Sequence, residues 1–291
     1  MSNLGRASIA TALALLALLL GACLGIEKPL SGTLSGDIYW RGRVFLDGDL
    51  VIAKDSRLFI APGTEVLFLP PGPGRDQWTD HPNFPGSELI VRGELIASGT
   101  ADAPIVFRHV DPDAAPGSWG GVNFEPGSRA RFAFCRFTQA DSAVHGQETM
   151  VSINQSLFEK NLVGIRFHTS SMRIENNLLR DNGVAIRFHF GAPTIVGNDI
   201  RDNKRAFFIT SFPRDYRIEG NSIVDSSDYA VVLGEEVPED VMMADNYWDW
   251  ERPDELEAAF FDGRTVDYLG RVRIEPRLAA PPPNVGISWS R

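Results

Sequence analysis

Two tripeptides carry the side chains best suited to chemistry. Arg166-Phe167-His168 recurs, residue type for residue type, as Arg187-Phe188-His189. At the same interval before them stand His145 and Gln147, and at the same interval after them Phe208 and Thr210. A guanidinium offers a planar fork of donors that fits a carboxylate or phosphate. Histidine adds a donor or acceptor near neutral pH, and Phe208 an apolar plate for a sugar face. Together His145, Gln147, Arg166, His168, Arg187, His189, Phe208 and Thr210 form a stripe suited to an anionic or polyhydroxylated ligand. They suit equally a solvated strand face. Two histidines with no evident third ligand make a poor metal site, so no metal ligands are expected.

Two weaker constellations accompany the stripe. Asp181, Asp202 and Asp225 recur at similar intervals, and stacked carboxylates can hold calcium or serve a glycosidase. Aspartates of this kind beside Arg180 and Arg201 are also ordinary turn formers in solvated ion pairs, so no cofactor is expected, with calcium as the alternative. The segment from Pro70 to Gly86 carries Asp76, Trp78, Asp80, His81 and Phe84. It reads as a long loop thrown out from the fold, able to bind through Trp78 or to pack as a flap.

The elements that must position these residues repeat with the same period. Ile153, Ile174 and Ile195 are evenly spaced, at about 21 residues per unit, which is a solenoid-like repeat length. Phe132 precedes them, and Ile218 and Met243 follow after small insertions. Three residues on come Cys135, Ser156, Asn177, Asn198, Asn221 and Asn246; eight on come Asn161, Asn182 and Asn203. Within each unit apolar residues alternate, as in Gly164-Ile165-Arg166-Phe167-His168, which is the period of a strand. Short strands recurring about every 21–25 residues predict a single-chain parallel β-helix, an all-β solenoid. The asparagines should stack inside its corners and satisfy backbone groups, and Cys135 fills one such column as a core residue.

The predicted organisation is an export segment at 1–22, a linker at 23–35, the β-helix at 36–248, a cap at 249–278 and a Pro-rich, extended tail at 279–291. In the cap, Pro253-Asp254-Glu255 should open a short helix, proline and acids being favoured at a helix start.

Gly93-Glu94-Leu95-Ile96-Ala97-Ser98-Gly99-Thr100, Pro104-Ile105-Val106-Phe107, Trp119-Gly120-Gly121-Val122-Asn123-Phe124 and Asn246-Tyr247-Trp248 resemble exported bacterial right-handed parallel β-helix proteins of the pectate-lyase-like superfold. The resemblance implies a right-handed coil and specifies no activity, because these are strand and turn residues. Polygalacturonases on this fold share Asn-Thr-Asp, Asp-Asp, Gly-His-Gly and Arg-Ile-Lys; here only Gly197-Asn198-Asp199 and Val144-His145-Gly146 come near. No acidic cluster matches the calcium site of pectate lyases, so no catalytic residue carries over.

Ala7 to Leu20 is an apolar run that falls short of the roughly 20 residues of a membrane span. It ends in Leu20-Gly21-Ala22-Cys23, which resembles the bacterial lipobox. That resemblance implies acyl chains, palmitate among them, on Cys23 and, with Leu24 rather than Asp next, an outer-membrane lipoprotein facing the periplasm or the cell surface. An ordinary secretory signal is the alternative. The balance of 28 Lys plus Arg against 38 Asp plus Glu, net −10, argues against a nucleic-acid partner. The expected function is a lipid-anchored envelope protein that binds or scaffolds a polysaccharide or another envelope protein without catalysis. The alternative is a polysaccharide lyase or glycoside hydrolase acting on an acidic glycan. Feeding the producing bacterium a tagged palmitate is expected to label the chain. Label persisting in a Cys23→Ser variant would contradict the assignment of the anchor.

Overall fold

The structure, a computed structural model, describes residues 28–250 and 253–289. Cys23 and the export segment lie outside the described residues. The chain winds as a right-handed parallel β-helix of about 10 turns. Each turn runs through three faces. Face one holds, among others, β2 (Asp37–Trp40), β4 (Arg57–Ile60), β10 (Arg129–Ala133), β13 (Met150–Asn154) and β16 (Ser171–Glu175). Face two holds β5 (Glu65–Leu69), β8 (Ile105–His109), β11 (Cys135–Thr138), β14 (Leu157–Glu159) and β17 (Leu178–Arg180). Face three holds β6 (Leu89–Val91), β9 (Trp119–Phe124), β12 (Ala140–Gln147), β15 (Val163–His168), β18 (Val184–His189), β21 (Arg205–Ser211) and β24 (Tyr229–Glu236).

Parallel pairing in register stacks identical positions. On face one Ile153 lies over Phe132 and under Ile174; on face three Ile165 lies under Ile186. Such pairing gives a rise of about 4.8 Å per turn. Inside, the columns become ladders of like side chains: Phe107, Phe137 and Phe158 stack with ring centroids 4.7 Å apart at each step. These rings are fully buried.

The corners carry the asparagine columns as expected. In the first column, the backbone N–H of each turn donates to the side-chain carbonyl of the next. Asn177 N donates to Asn198 Oδ1 at 3.0 Å, Asn198 N to Asn221 Oδ1 at 2.9 Å, and Asn221 N to Asn246 Oδ1 at 3.0 Å. The Asn198 amide also donates to the carbonyls of Ile174 and Val196. Ser156 and Cys135 continue this column, and the Cys135 thiol, fully buried, is pushed far up by burial, which keeps it protonated. The residue before each asparagine takes the left-handed conformation, as at Asn176, Gly197 and Gly220, which lets the chain turn a corner in one step.

Asp181, Asp202 and Asp225 have φ values of 55°, 56° and 50° and occupy the equivalent positions of the second corner. Their column is therefore the corner itself, where a left-handed backbone favours aspartate. Arg180 bonds Glu159 at 2.8 Å and reaches Asp181 at 3.9 Å. Among the described residues no group of three His, Cys, Asp or Glu is placed to hold a metal ion.

The ends differ from the predicted boundaries. Part of the expected linker is β1 (Leu30–Leu34), which pairs with β3 (Arg43–Ile52). The helix α1 spans Pro253–Ala258, and β28 (Val272–Arg273) pairs with β25 (Val241–Met242) in a small sheet of their own. The tail returns along the first corner: Gly286 N donates to Gly197 O at 2.8 Å, and Trp289 Nε1 to Gln155 O at 2.6 Å. It is packed rather than free because those left-handed corners leave carbonyls that accept from it.

The ladder makes a direct prediction. Asn198→Ala removes an amide that bridges three turns and leaves buried backbone groups unsatisfied. Chemical denaturation should show a loss of about 2–4 kcal/mol, and a loss below about 0.5 kcal/mol would mean that the column does not hold the turns together.

Candidate functional site

Face three brings the stripe together. His145, Arg166, Arg187 and Phe208 are register partners on successive turns. Beside them run Gln147, His168 and His189. The imidazoles of His168 and His189 stack at 5.0 Å. Past Phe188 the register slips by one residue, so Ser211 rather than Thr210 pairs with His189. Both hydroxyls nonetheless reach His189 Nδ1, at 2.8 Å from Ser211 and 3.2 Å from Thr210. Ser211 also donates to Glu236.

Most of the stripe lines a cavity of about 400 Å³, walled by His81, His145, Arg166, His168, Arg187, His189 and Thr210 together with Phe167 and Phe188; Gln147 and Phe208 lie outside the lining. Its wall at the N-terminal side is the loop between β5 and β6, which folds over the turn that holds His145. Phe84 packs edge-on to His145 at 5.2 Å and lies 5.2 Å from the Arg166 guanidinium. His81 adds a ring 5.8 Å from His145.

Two expectations need correction. His145 points out of the coil, as alternation requires, yet only 1% of it is exposed because the loop covers it. Burial and the neighbouring Arg166 push its pKa down to about 3. It is therefore a neutral floor residue of the cavity. Trp78 does not reach the cavity lining; it is 40% exposed, with its backbone N–H held by Asp49. The sequence places Phe84 and His81 on the loop but carries no signal for where the loop docks.

The electrostatics follow from the two arginines. Arg166 and Arg187 are half-buried, and neither has a carboxylate partner among the described residues. The other half-buried arginines described, Arg108, Arg136, Arg180, Arg201, Arg205 and Arg264, each sit against a carboxylate. Burial and Arg187 lower the Arg166 pKa to about 10, and burial lowers that of Arg187. Burial also lowers His81 and His189; the cations around them push the same way, while Glu236, 3.7 Å from His189, opposes the shift there. Asp141 acts on both arginines from the corner but lies outside the lining, and burial raises its pKa. Arg187 in turn packs over the Phe208 ring at 4.9 Å. The cavity therefore presents desolvated donors and positive charge in excess, with buried Phe84 packed behind Arg166 and Phe208 beneath Arg187.

A buried carboxyl group holds the loop in place. Glu88 is fully buried and accepts from Asn83 Nδ2 and Phe84 N, both at 3.1 Å. It fits because residue 120 is glycine: a Cβ there would lie 2.3 Å from Glu88 Cγ. The second glycine of this pair is equally required, since a Cβ on Gly121 would lie 2.2 Å from Ser142 O. Burial, with nearby Asp49 and Asp76, raises the Glu88 pKa to about 9. The folded protein thus keeps Glu88 protonated at neutral pH while the unfolded chain ionises it above about 4.5. Its contribution is complete below that value and is lost as pH rises toward 9. Glu88→Gln should therefore gain stability relative to the native chain between about pH 5 and pH 8, by on the order of 3 kcal/mol. Denaturation at the two pH values measures this; an unchanged difference would show that Glu88 is not held neutral.

No curated protein and no solved structure matches the chain. Residues 110–237, which contain most of the cavity lining, match the family model described as the right handed beta helix region, and over those residues and the turns on either side the chain is a right-handed parallel β-helix.

Proposed function

We propose that this is a lipid-anchored protein of the bacterial envelope that binds an acidic glycan through the cavity of face three and does not cleave it. One observation carries the reading: Arg166 and Arg187 are half-buried side by side with no carboxylate partner among the described residues. Holding two desolvated guanidinium groups one turn apart costs stability, and a bound carboxylate would relieve that cost through charge-assisted hydrogen bonds. Phe208, beside the cavity and under Arg187, supplies an apolar plate for a sugar ring, and the histidines supply donors for hydroxyls. A volume of about 400 Å³ suits a few sugar units.

The hydrolase and lyase readings use the same face. A glycosidase needs two carboxyl groups across the scissile bond, and among the described residues no carboxylate lines this cavity. Arg166, lowered toward about 10 by burial and Arg187, is the one group that favours a lyase, in which an arginine takes the proton next to a uronate carboxylate.

Titration calorimetry with polygalacturonate and alginate oligomers tests the proposal. Binding should weaken about 100-fold in Arg166→Ala/Arg187→Ala, with the thermal transition of the protein retained. Undiminished binding in the double variant would sink the choice of face, and release of unsaturated product by the native chain would replace binding with lyase activity.

A further inference from the structure

The two ends of the solenoid carry opposite charge. Residues 28–45 hold three basic side chains, Lys28, Arg41 and Arg43, against the single acid Asp37. Residues 225–278, at the capped end, hold fifteen carboxylates against five arginines. Lys28 and Arg41 are exposed, with no carboxylate partner among the described residues. Arg43 reaches Glu65 at 3.5 Å and packs over Phe45 at 5.1 Å.

Among the described residues the basic end is also an uncapped end. Strand β2 is, among those residues, the edge of its sheet, with β4 on one side only. Next to it Lys28, Tyr39, Trp40, Arg41, Arg43 and Phe45 help to surround a hollow of about 210 Å³, with no carboxylate of the described residues in its lining. Tyr39 is 71% exposed and stacks on Phe59 at 4.9 Å. An exposed tyrosine costs solubility on a protein surface, while its amphipathic ring is favoured at the headgroup level of a bilayer. Basic side chains around such a ring attract anionic lipid.

We propose that this end is a docking surface for an anionic phospholipid bilayer, and that the solenoid stands on it with the acidic cap pointing away. The charge polarity selects this orientation, because the reverse one would bring the net negative charge of the cap against anionic lipid. The surface acts without the acyl chains and adds to them; it relies on the envelope reading only for meeting a bilayer at all. Face three then projects sideways, free of the membrane, with its cavity open to a glycan.

The test uses the mature chain with Cys23→Ser, so that no lipid is attached. Cosedimentation with vesicles of phosphatidylcholine containing roughly 30% phosphatidylglycerol, enough to give a strong negative surface potential, should pull down the protein. Salt at about 0.5 M, which shortens the Debye length to a few ångströms, should release it. Lys28→Glu/Arg41→Glu should weaken this binding on the order of tenfold or more, and Tyr39→Ser should weaken it with the charge unchanged. Arg166→Ala/Arg187→Ala should bind vesicles as the native chain does, which separates this surface from the glycan site. Equal binding to pure phosphatidylcholine, no binding to either vesicle, or loss of binding in the arginine variant of face three would each overturn the proposal.

Discussion

Everything about the cavity depends on the turns stacking in register. In a parallel solenoid, residues meet because each turn is laid on the last. The asparagine columns enforce this, since each side-chain carbonyl takes the backbone N–H of the preceding turn while each amide reaches the carbonyls around it. A slip of one residue would turn the core face outward. Arg166 and Arg187 are register partners for the same reason that Ile165 and Ile186 are. The scaffold thus holds two like charges one turn apart, a placement that free side chains would avoid.

The loop over His145 turns a flat stripe into a site. A strand face alone leaves its side chains in water, where an arginine pair attracts anions weakly. With Phe84 and His81 closing one side, the guanidinium groups are half desolvated and their field is less screened. The depressed pKa values of His145, Arg166 and His189 share a cause in burial, with positive neighbours adding to it. Glu88 connects this wall to the solenoid. Its carboxyl group holds Asn83 and Phe84 from a space that exists because Gly120 has no side chain.

The repeat and the fold are legible in the sequence because the signal is periodic and local. The even spacing identifies the core columns, the corner asparagines and the outward stripe, and the central turns stack in that register. The loop is visible as an interruption, but its landing place depends on packing against turns far downstream in the chain, which no periodicity encodes. Hence neither the burial of His145 nor the absence of Trp78 from the lining can be read from spacing. The exchange of Thr210 for Ser211 arises from a register shift after Ile209, where the paired strands differ by one residue. The packed tail is hidden for a similar reason, since its partners are largely backbone carbonyls at corners rather than side chains with a recognisable pattern.

The central claim is that Arg166 and Arg187 together receive one anionic group. A crystal structure of the protein soaked with a short uronate oligomer tests it most directly. A carboxylate is expected between the two guanidinium groups, within hydrogen-bonding distance of both, with a sugar ring against Phe208. A sugar bound elsewhere on the solenoid, with the arginine pair left in water, would contradict it.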